Sequence, residues 1–251
     1  MSFPNIIFGS DGDQFTVSAP SADLQGSPAV GDQLCLQDGR TFRYSSAGAV
    51  AVVVGKLYQA AIPVTNHVLQ TAAAAAVGAK TIVLTLGATA VTPNQYQNGY
   101  VTIDLVSNTG FGYGYGIDAH GAVASSGAFT IPLKSTVQVA VATTANSISL
   151  VPNRGQGAIL AVATTPTAEV NGVSVKPIPI GDFGWIQSKG VVQCLTVTPV
   201  AVEGQNVMPA TTTGAVMAQS TATSLTVPNI GIGVRTAVTA SYATIRLWGL
   251  D

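Results

Sequence analysis

The stretch GFGYGYGIDAHG, residues 110–121, gathers the residue types from which phosphate loops and acid–base sites are made. Glycines stand at 110, 112, 114 and 116, followed by Asp118 and His120. A dinucleotide loop needs glycine at its first, third and sixth positions, opening a helix after a strand. Here the sixth position is Tyr115, Ile117 or Ala119, depending on the register, so every register fails. No Gly-Lys-Ser/Thr follows, which excludes a Walker loop. Asp118 and His120 lie two apart and would share one face of a strand, as a hydrogen-bonded pair or as half of an acid–base site. No G-x-S-x-G elbow accompanies them, and a polar patch at a strand end is the preferred reading.

The remaining candidates for chemistry are few. A zinc site needs three or four ligands at suitable spacing. The histidines are only His67 and His120, and neither has a Cys or acidic residue at such a spacing. Asp11 and Asp13, in SDGDQ, resemble a fragment of a calcium loop but lack the acidic ligand at the twelfth position, so a turn is expected. Glu169 and Glu203 have no aromatic sugar platform around them to support a glycosidase pair. Cys35 and Cys194 form no CxxC motif and are expected as buried free thiols. Catalytic, cofactor and metal sites are therefore not expected.

The composition points away from several classes. Of 251 residues only 8% are charged, against about 25% in ordinary globular chains. Lys and Arg are scattered singly, so no basic stripe is expected and nucleic-acid binding is not anticipated. The most apolar runs, 47–55 and 71–79, fall short of the roughly 20 residues of a membrane helix. The first residues lack a basic segment followed by an apolar one, so no secretory leader is expected and assembly in a cytoplasm is. Helical surfaces normally need Glu and Lys, and the glutamates are only Glu169 and Glu203. A Thr- and Val-rich β protein whose surface a partner covers is the reading that remains.

The elements that would position these residues are short strands separated by turns. In 110–117 the period is two, placing Phe111, Tyr113, Tyr115 and Ile117 on one side and glycines on the other. Such a bare face admits the close approach of another backbone or subunit. TFRYSSAGAVAVVVGKLYQAA (41–61) reads as a hairpin around Ser-Ser-Ala-Gly. LQTAAAAAVGA (69–79) reads as a helix or a tight crossover. KTIVLTLG (80–87), YVTIDLV (100–106), FTIPLKSTVQVAV (129–141) and NSISLVPN (146–153) read as strands, with Val101, Ile103 and Leu105 on one face. The pattern restarts after Asn153-Arg154-Gly155-Gln156-Gly157 and continues as short strands to the end. The expected fold is all-β: an arm with first strands over 1–40, a β-rich domain over 41–153, and a barrel or sandwich over 154–251.

Several segments resemble the decoration, or cement, proteins of tailed bacteriophages, especially marine phages. They are TFRYSSAGAVAVVVGKLYQAA, GATAVTPNQYQNGYVTI, the glycine-aromatic strand ending in DAHG, and DFGWIQSKGVVQCLTV. The last is similar to a Y-G-W-V-Q-x-K-G strand pair, with Phe183 in the place of Tyr. VEGQNVMPATTTGAV, NIGIGVRTA and YATIRLWGL continue the likeness, which runs from about Thr41 onward. The resemblance implies a small β-barrel or β-tulip in the C-terminal half. It also implies a non-enzymatic virion protein that cements major capsid protein subunits on the outside of the head, commonly as a homotrimer. The alternative is a head-fibre or tail component that binds host-surface glycans.

Candidate interface residues follow from apolar clustering. Phe3, Ile6, Ile7 and Phe8 precede a Gly-Ser-Asp-Gly turn and are expected to fold against a partner. Phe111, Tyr113 and Tyr115 form the aromatic strand. Trp185 and Trp248 are core or interface anchors by the enrichment of Trp at subunit contacts.

Overall fold

The computed structural model describes residues 6–19, 28–105, 107–162, 167–199, 201–219, 227–236, 238 and 241–250. These residues are nearly all β, with a closed barrel and a curled sheet. The helical residues among them are two single 3-10 turns, Asp13–Phe15 and Thr65–His67. The chain divides into two units: residues 1–61 with 154–251, and residues 62–153.

The first unit begins with β1 (Ile6–Gly9), β2 (Val17–Ser18), β3 (Gln33–Leu36), β4 (Thr41–Ser46) and β5 (Leu57–Gln59). The second unit supplies β6 (Gln70–Ala72), β7 (Thr81–Thr85), β8 (Tyr100–Ile103), β9 (Gly114–Gly116), β10 (Ala128–Pro132) and β11 (Thr144–Val151). The first then resumes with β12 (Ile159–Leu160), β13 (Val170–Ser174), β14 (Phe183–Thr196), β15 (Asn206–Pro209), β16 (Val216–Ala218), β17 (Gly231–Arg235) and β18 (Ser241–Trp248).

In the first unit, β14, β16, β15, β17 and β18 pair in a ring that closes through β14–β18. Period two explains its interior: Val192, Cys194, Ala243, Ile245 and Leu247 point inward and are buried with Val207, Val216 and Ile230. The N-terminal half of β14 is instead buried on both faces. Phe183 and Trp185 pack with Phe42 and Tyr44, while Ile186 packs with Val52, Tyr58 and Ile178. Gly190 marks the change of partner along β14. Its φ of +91° suits glycine, and a Cβ there would meet the Arg40 side chain at 2.9 Å.

The expected hairpin over 41–61 does not form. β4 pairs with β3 and β14, and β5 pairs with β12 and β13. The turn next to β4 is Gln37–Arg40, where Gly39 has φ +83° and Leu36 N–H donates to Arg40 O at 3.0 Å. Asp38-Gly39 was the stronger turn signal, because it supplies positive φ at no steric cost. Residues 41–61, expected to open the middle domain, thus belong with residues 154 onward, and the expected N-terminal arm contributes β1, β2 and β3 to the same sheet.

The second unit is a six-stranded antiparallel sheet in the order β10-β7-β6-β11-β8-β9. It curls until its edges meet at an Ile117–Leu133 bridge, where Asp118 N–H donates to Pro132 O and Lys134 N–H to Gly116 O, both at 2.9 Å. Its core is Ile82, Leu84, Val101, Ile103, Tyr115, Ile117, Phe129, Ile131 and Ile148, with Tyr96. Residues 69–79 form β6 and a turn at Gly78, because the Ala run has no polar face to turn to water as a helix. Leu105, expected on the buried face with Val101 and Ile103, lies beyond the end of β8 and is exposed.

Candidate functional site

The two histidines are committed to structure. His67 is fully buried, with Nε2 2.9 Å from Thr89 O and Nδ1 2.6 Å from Tyr96 Oη. A carbonyl oxygen only accepts, so Nε2 carries the proton and Nδ1 accepts from the phenol. At His120, Nε2 accepts the Tyr96 N–H at 3.0 Å and Nδ1 donates to Gly121 O at 2.9 Å. His120 N–H donates to Asn94 Oδ1 at 2.8 Å, and Asn94 N–H to His120 O at 3.0 Å. The ring packs edge-on against Phe129 at 4.9 Å. Burial lowers the His120 pKa, opposed in part by its bond to Gly121. Burial likewise pushes the Tyr96 phenol far up.

Asp118 lies just past β9 and accepts the Ala119 N–H at 2.8 Å. The Asp118–His120 pairing considered from the sequence does not occur, since both His120 nitrogens are bonded elsewhere. Among the described residues, no group of three His, Cys, Asp or Glu is placed to hold a metal.

SDGDQ forms a turn. Asp13 Oδ2 accepts the Ser10 N–H at 2.8 Å, and Asp11 Oδ1 accepts from Gln14 Nε2 at 2.9 Å and from Arg40 Nη2 at 2.6 Å. Hydrogen bonds from Arg40 and Gln14 hold the Asp11 carboxyl below its ordinary value. Glu169 pairs with Arg154 at 3.2 Å, and the backbone of Glu203 forms an isolated parallel β-bridge with Gly233. Both cysteines are free, with Cys194 inside the barrel, where burial pushes its thiol up.

The interface candidates separate into two sets. Phe3 lies outside the described residues. Ile6 and Phe8 are exposed on β1, Phe8 by 84%, and Ile7 packs inward against the Tyr44–Trp185 cluster. β1 pairs with β3, in parallel, and its other edge pairs with no strand among the described residues. Phe111 and Tyr113 are exposed, whereas Tyr115 is core. Trp185 is core too, 4.9 Å edge-on to Tyr44, and Trp248 is half exposed.

The aromatic strand is shorter than the period suggested, because residues 109–112 form a turn that Gly112, at φ +80°, closes before β9 begins. Buried Asn108 holds that turn, its Oδ1 accepting the Gly110 and Ala142 N–H groups at 3.1 and 3.0 Å. Gly110 is packed against Ile103, whose Cδ1 a Cβ would meet at 2.7 Å, but Gly114 and Gly116 have no close neighbour among the described residues. A Cβ at Gly114 would meet nothing nearer than 3.8 Å, and one at Gly116 only the Lys134 side chain at 3.5 Å.

Sequence reasoning missed the outer face of the barrel. The register places Lys189 opposite Trp248, Val191 opposite Arg246 and Gln193 opposite Thr244, with Ile232 and Arg235 of β17 opposite Arg246 and Thr244. Three cations distant in sequence therefore share one face, contrary to the scattered distribution read from the chain. Beside them runs an open groove of about 340 Å³ lined by Arg40, Val54, Gln187, Val191, Gln193 and Tyr242. A second hollow, lined by Asp38, Arg40, Gly190, Val191 and Arg246, shares Arg40 and Val191 with it. Tyr242 lies directly on Gly55, where a Cβ would fall 2.3 Å from the ring and φ is +71°. The period-two pattern of both strands was the available signal, but the pairing that joins them was not readable.

No family model, no curated protein and no solved structure matches this chain.

Proposed function

We propose that this chain is a non-enzymatic virion structural protein that binds the outside of a tailed-phage head and cements junctions between major capsid protein subunits. The observation that carries the reading is the apolar and aromatic surface left on the first unit. Trp248, Tyr242 and Val191 are exposed on the barrel, and Phe8 stands on β1, whose outer edge is unpaired among the described residues. Partner-facing surfaces are enriched in aromatics and Arg and poor in acidic residues. An open edge also accepts a strand from a neighbour. The histidines, which would be the first groups sought for catalysis, serve instead to hold loops. The head location, the capsid partner and the homotrimer come from the sequence resemblance.

The test is the copy number of the chain on purified particles, by quantitative gel against the major capsid protein. Comparable abundance, with release before the shell breaks, is the expected result; a handful of copies or none overturns it. Exposure of Phe111 and Tyr113 on one turn favours a second reading, recognition of host-surface glycans by a fibre or tail component. Glycan-array binding lost on F111A/Y113A substitution would support that reading.

A further inference from the structure

We infer that the outer face of β14, β17 and β18 docks an acidic, apolar-bearing segment of a partner protein. The outward positions on β14 and β18 are Lys189, Val191 and Gln193, and Tyr242, Thr244, Arg246 and Trp248. Exposed Arg235 at the end of β17 lies opposite Thr244. None of these is acidic, and three are cations in a chain with only ten Lys and Arg. Two other cations of the unit are neutralised within it, Arg40 by Asp11 and Asp38 and Arg154 by Glu169. Lys189, Arg235 and Arg246 have no carboxylate partner among the described residues.

The mixture on this face decides the class of occupant. Solvated cations alone need no partner, but these flank Trp248, Val191 and Tyr242, each 40–49% exposed. Carboxylates meeting Lys189 and Arg246, with aliphatic side chains over Val191 and Trp248, satisfy both halves of the surface. A second copy offering the same face would set cation against cation. A nucleic-acid strand would bring a phosphate per nucleotide to three cations beside an apolar groove, with most of its charge unmet. The groove between Val54, Tyr242 and Arg40 gives an extended segment its path. That the partner belongs to a phage head rests on the reading above; its charge and apolar character do not.

The test uses the full chain and three probes: a ten-residue peptide alternating Val and Glu, its Val/Lys counterpart, and a twelve-nucleotide oligothymidine. Trp248 reports by fluorescence, since the other Trp, Trp185, is only 5% exposed. The Val/Glu peptide should bind at least tenfold more tightly than the other two, and more weakly as salt rises. K189E/R246E should reverse the peptide preference while melting at the wild-type temperature, both sites being exposed. Equal binding of the two peptides, an unchanged preference in the double variant, or tighter binding of oligothymidine overturns the inference. So does a sedimenting oligomer that W248A dissolves, which would assign the face to a second copy. Particles decorated equally by wild type and K189E/R246E would sink this inference and leave the virion reading standing. Peptide selectivity in a chain absent from particles would do the reverse.

Discussion

Tyr96 Oη donates to His67 Nδ1 over 2.6 Å, while the backbone N–H of the same tyrosine donates to His120 Nε2 over 3.0 Å. One residue thus joins both histidines of the chain, and through them the segments around Thr89, Asn94 and Gly121. All three side chains are buried. Each polar atom has its partner, so the network fixes one arrangement of these loops rather than leaving groups for substrate.

Tyr96→Phe removes the donor and leaves His67 Nδ1 buried without a partner. The expected loss is about 1–3 kcal/mol. Urea unfolding should show a lower midpoint at an unchanged slope, whereas Tyr113→Phe, at a half-exposed site, should leave the midpoint in place.

Stability should fall on mild acidification. Burial against Phe129 and Tyr96 puts the folded pKa of His120 below its ordinary 6.5, and its Nε2 must stay unprotonated to accept the Tyr96 N–H. Above pH 6.5 neither state binds the proton and the contribution is full. Below it the unfolded chain protonates first, so stability declines toward the lower folded value. Melting temperatures at pH 7.5 and 5.5 should differ in wild type, and His120→Gln should flatten the difference. A wild-type curve flat over that range would refute the assignment.

Two glycines should respond oppositely to alanine. At Gly231 a Cβ would fall 2.2 Å from Arg246 O, so Gly231→Ala must push β17 off β18 and open the ring. About 1–3 kcal/mol should be lost. Gly114→Ala meets nothing within 3.8 Å and should be neutral or slightly stabilising. Denaturant midpoints of the two variants decide both.

Cys194 should resist alkylation in the native state. It is fully buried in the barrel and its thiol is held protonated by desolvation, and the thiolate is the reactive form. Iodoacetamide treatment followed by peptide mass analysis should leave Cys194 unmodified, and 6 M guanidinium should make it reactive. Native labelling would show that the barrel opens.

Some elements were legible because their signals are local. β7 and β8 follow from β-branched content and the Asn-Gly turn at 98–99, where Asn98 takes φ +63°. The restart after Asn153 coincides with the boundary of the second unit. The hairpin at 41–61 failed because alternation shows that a strand exists and not which strand pairs with it. The turn at Asp38-Gly39 and the pairing of β4 with β14 took the place of that hairpin. The aromatic strand was overextended because period two says nothing of Gly112, whose positive φ keeps residues 109–112 in a turn ahead of β9.

The sequence by itself determined the all-β class, most strand positions and the isolation of the titratable residues along the chain. Those depend on spacing, turn chemistry and composition, which act over a few residues. Tertiary structure alone decided that Tyr115 and Trp185 are core while Trp248 is surface, and that His67 and His120 meet through Tyr96. It also decided that Lys189, Arg235 and Arg246 share a face. Strand register is set by long-range pairing and core packing. A slip of one residue would send the strand-borne side chains among these, such as Tyr115, Trp185, Lys189 and Trp248, to the opposite side of the sheet.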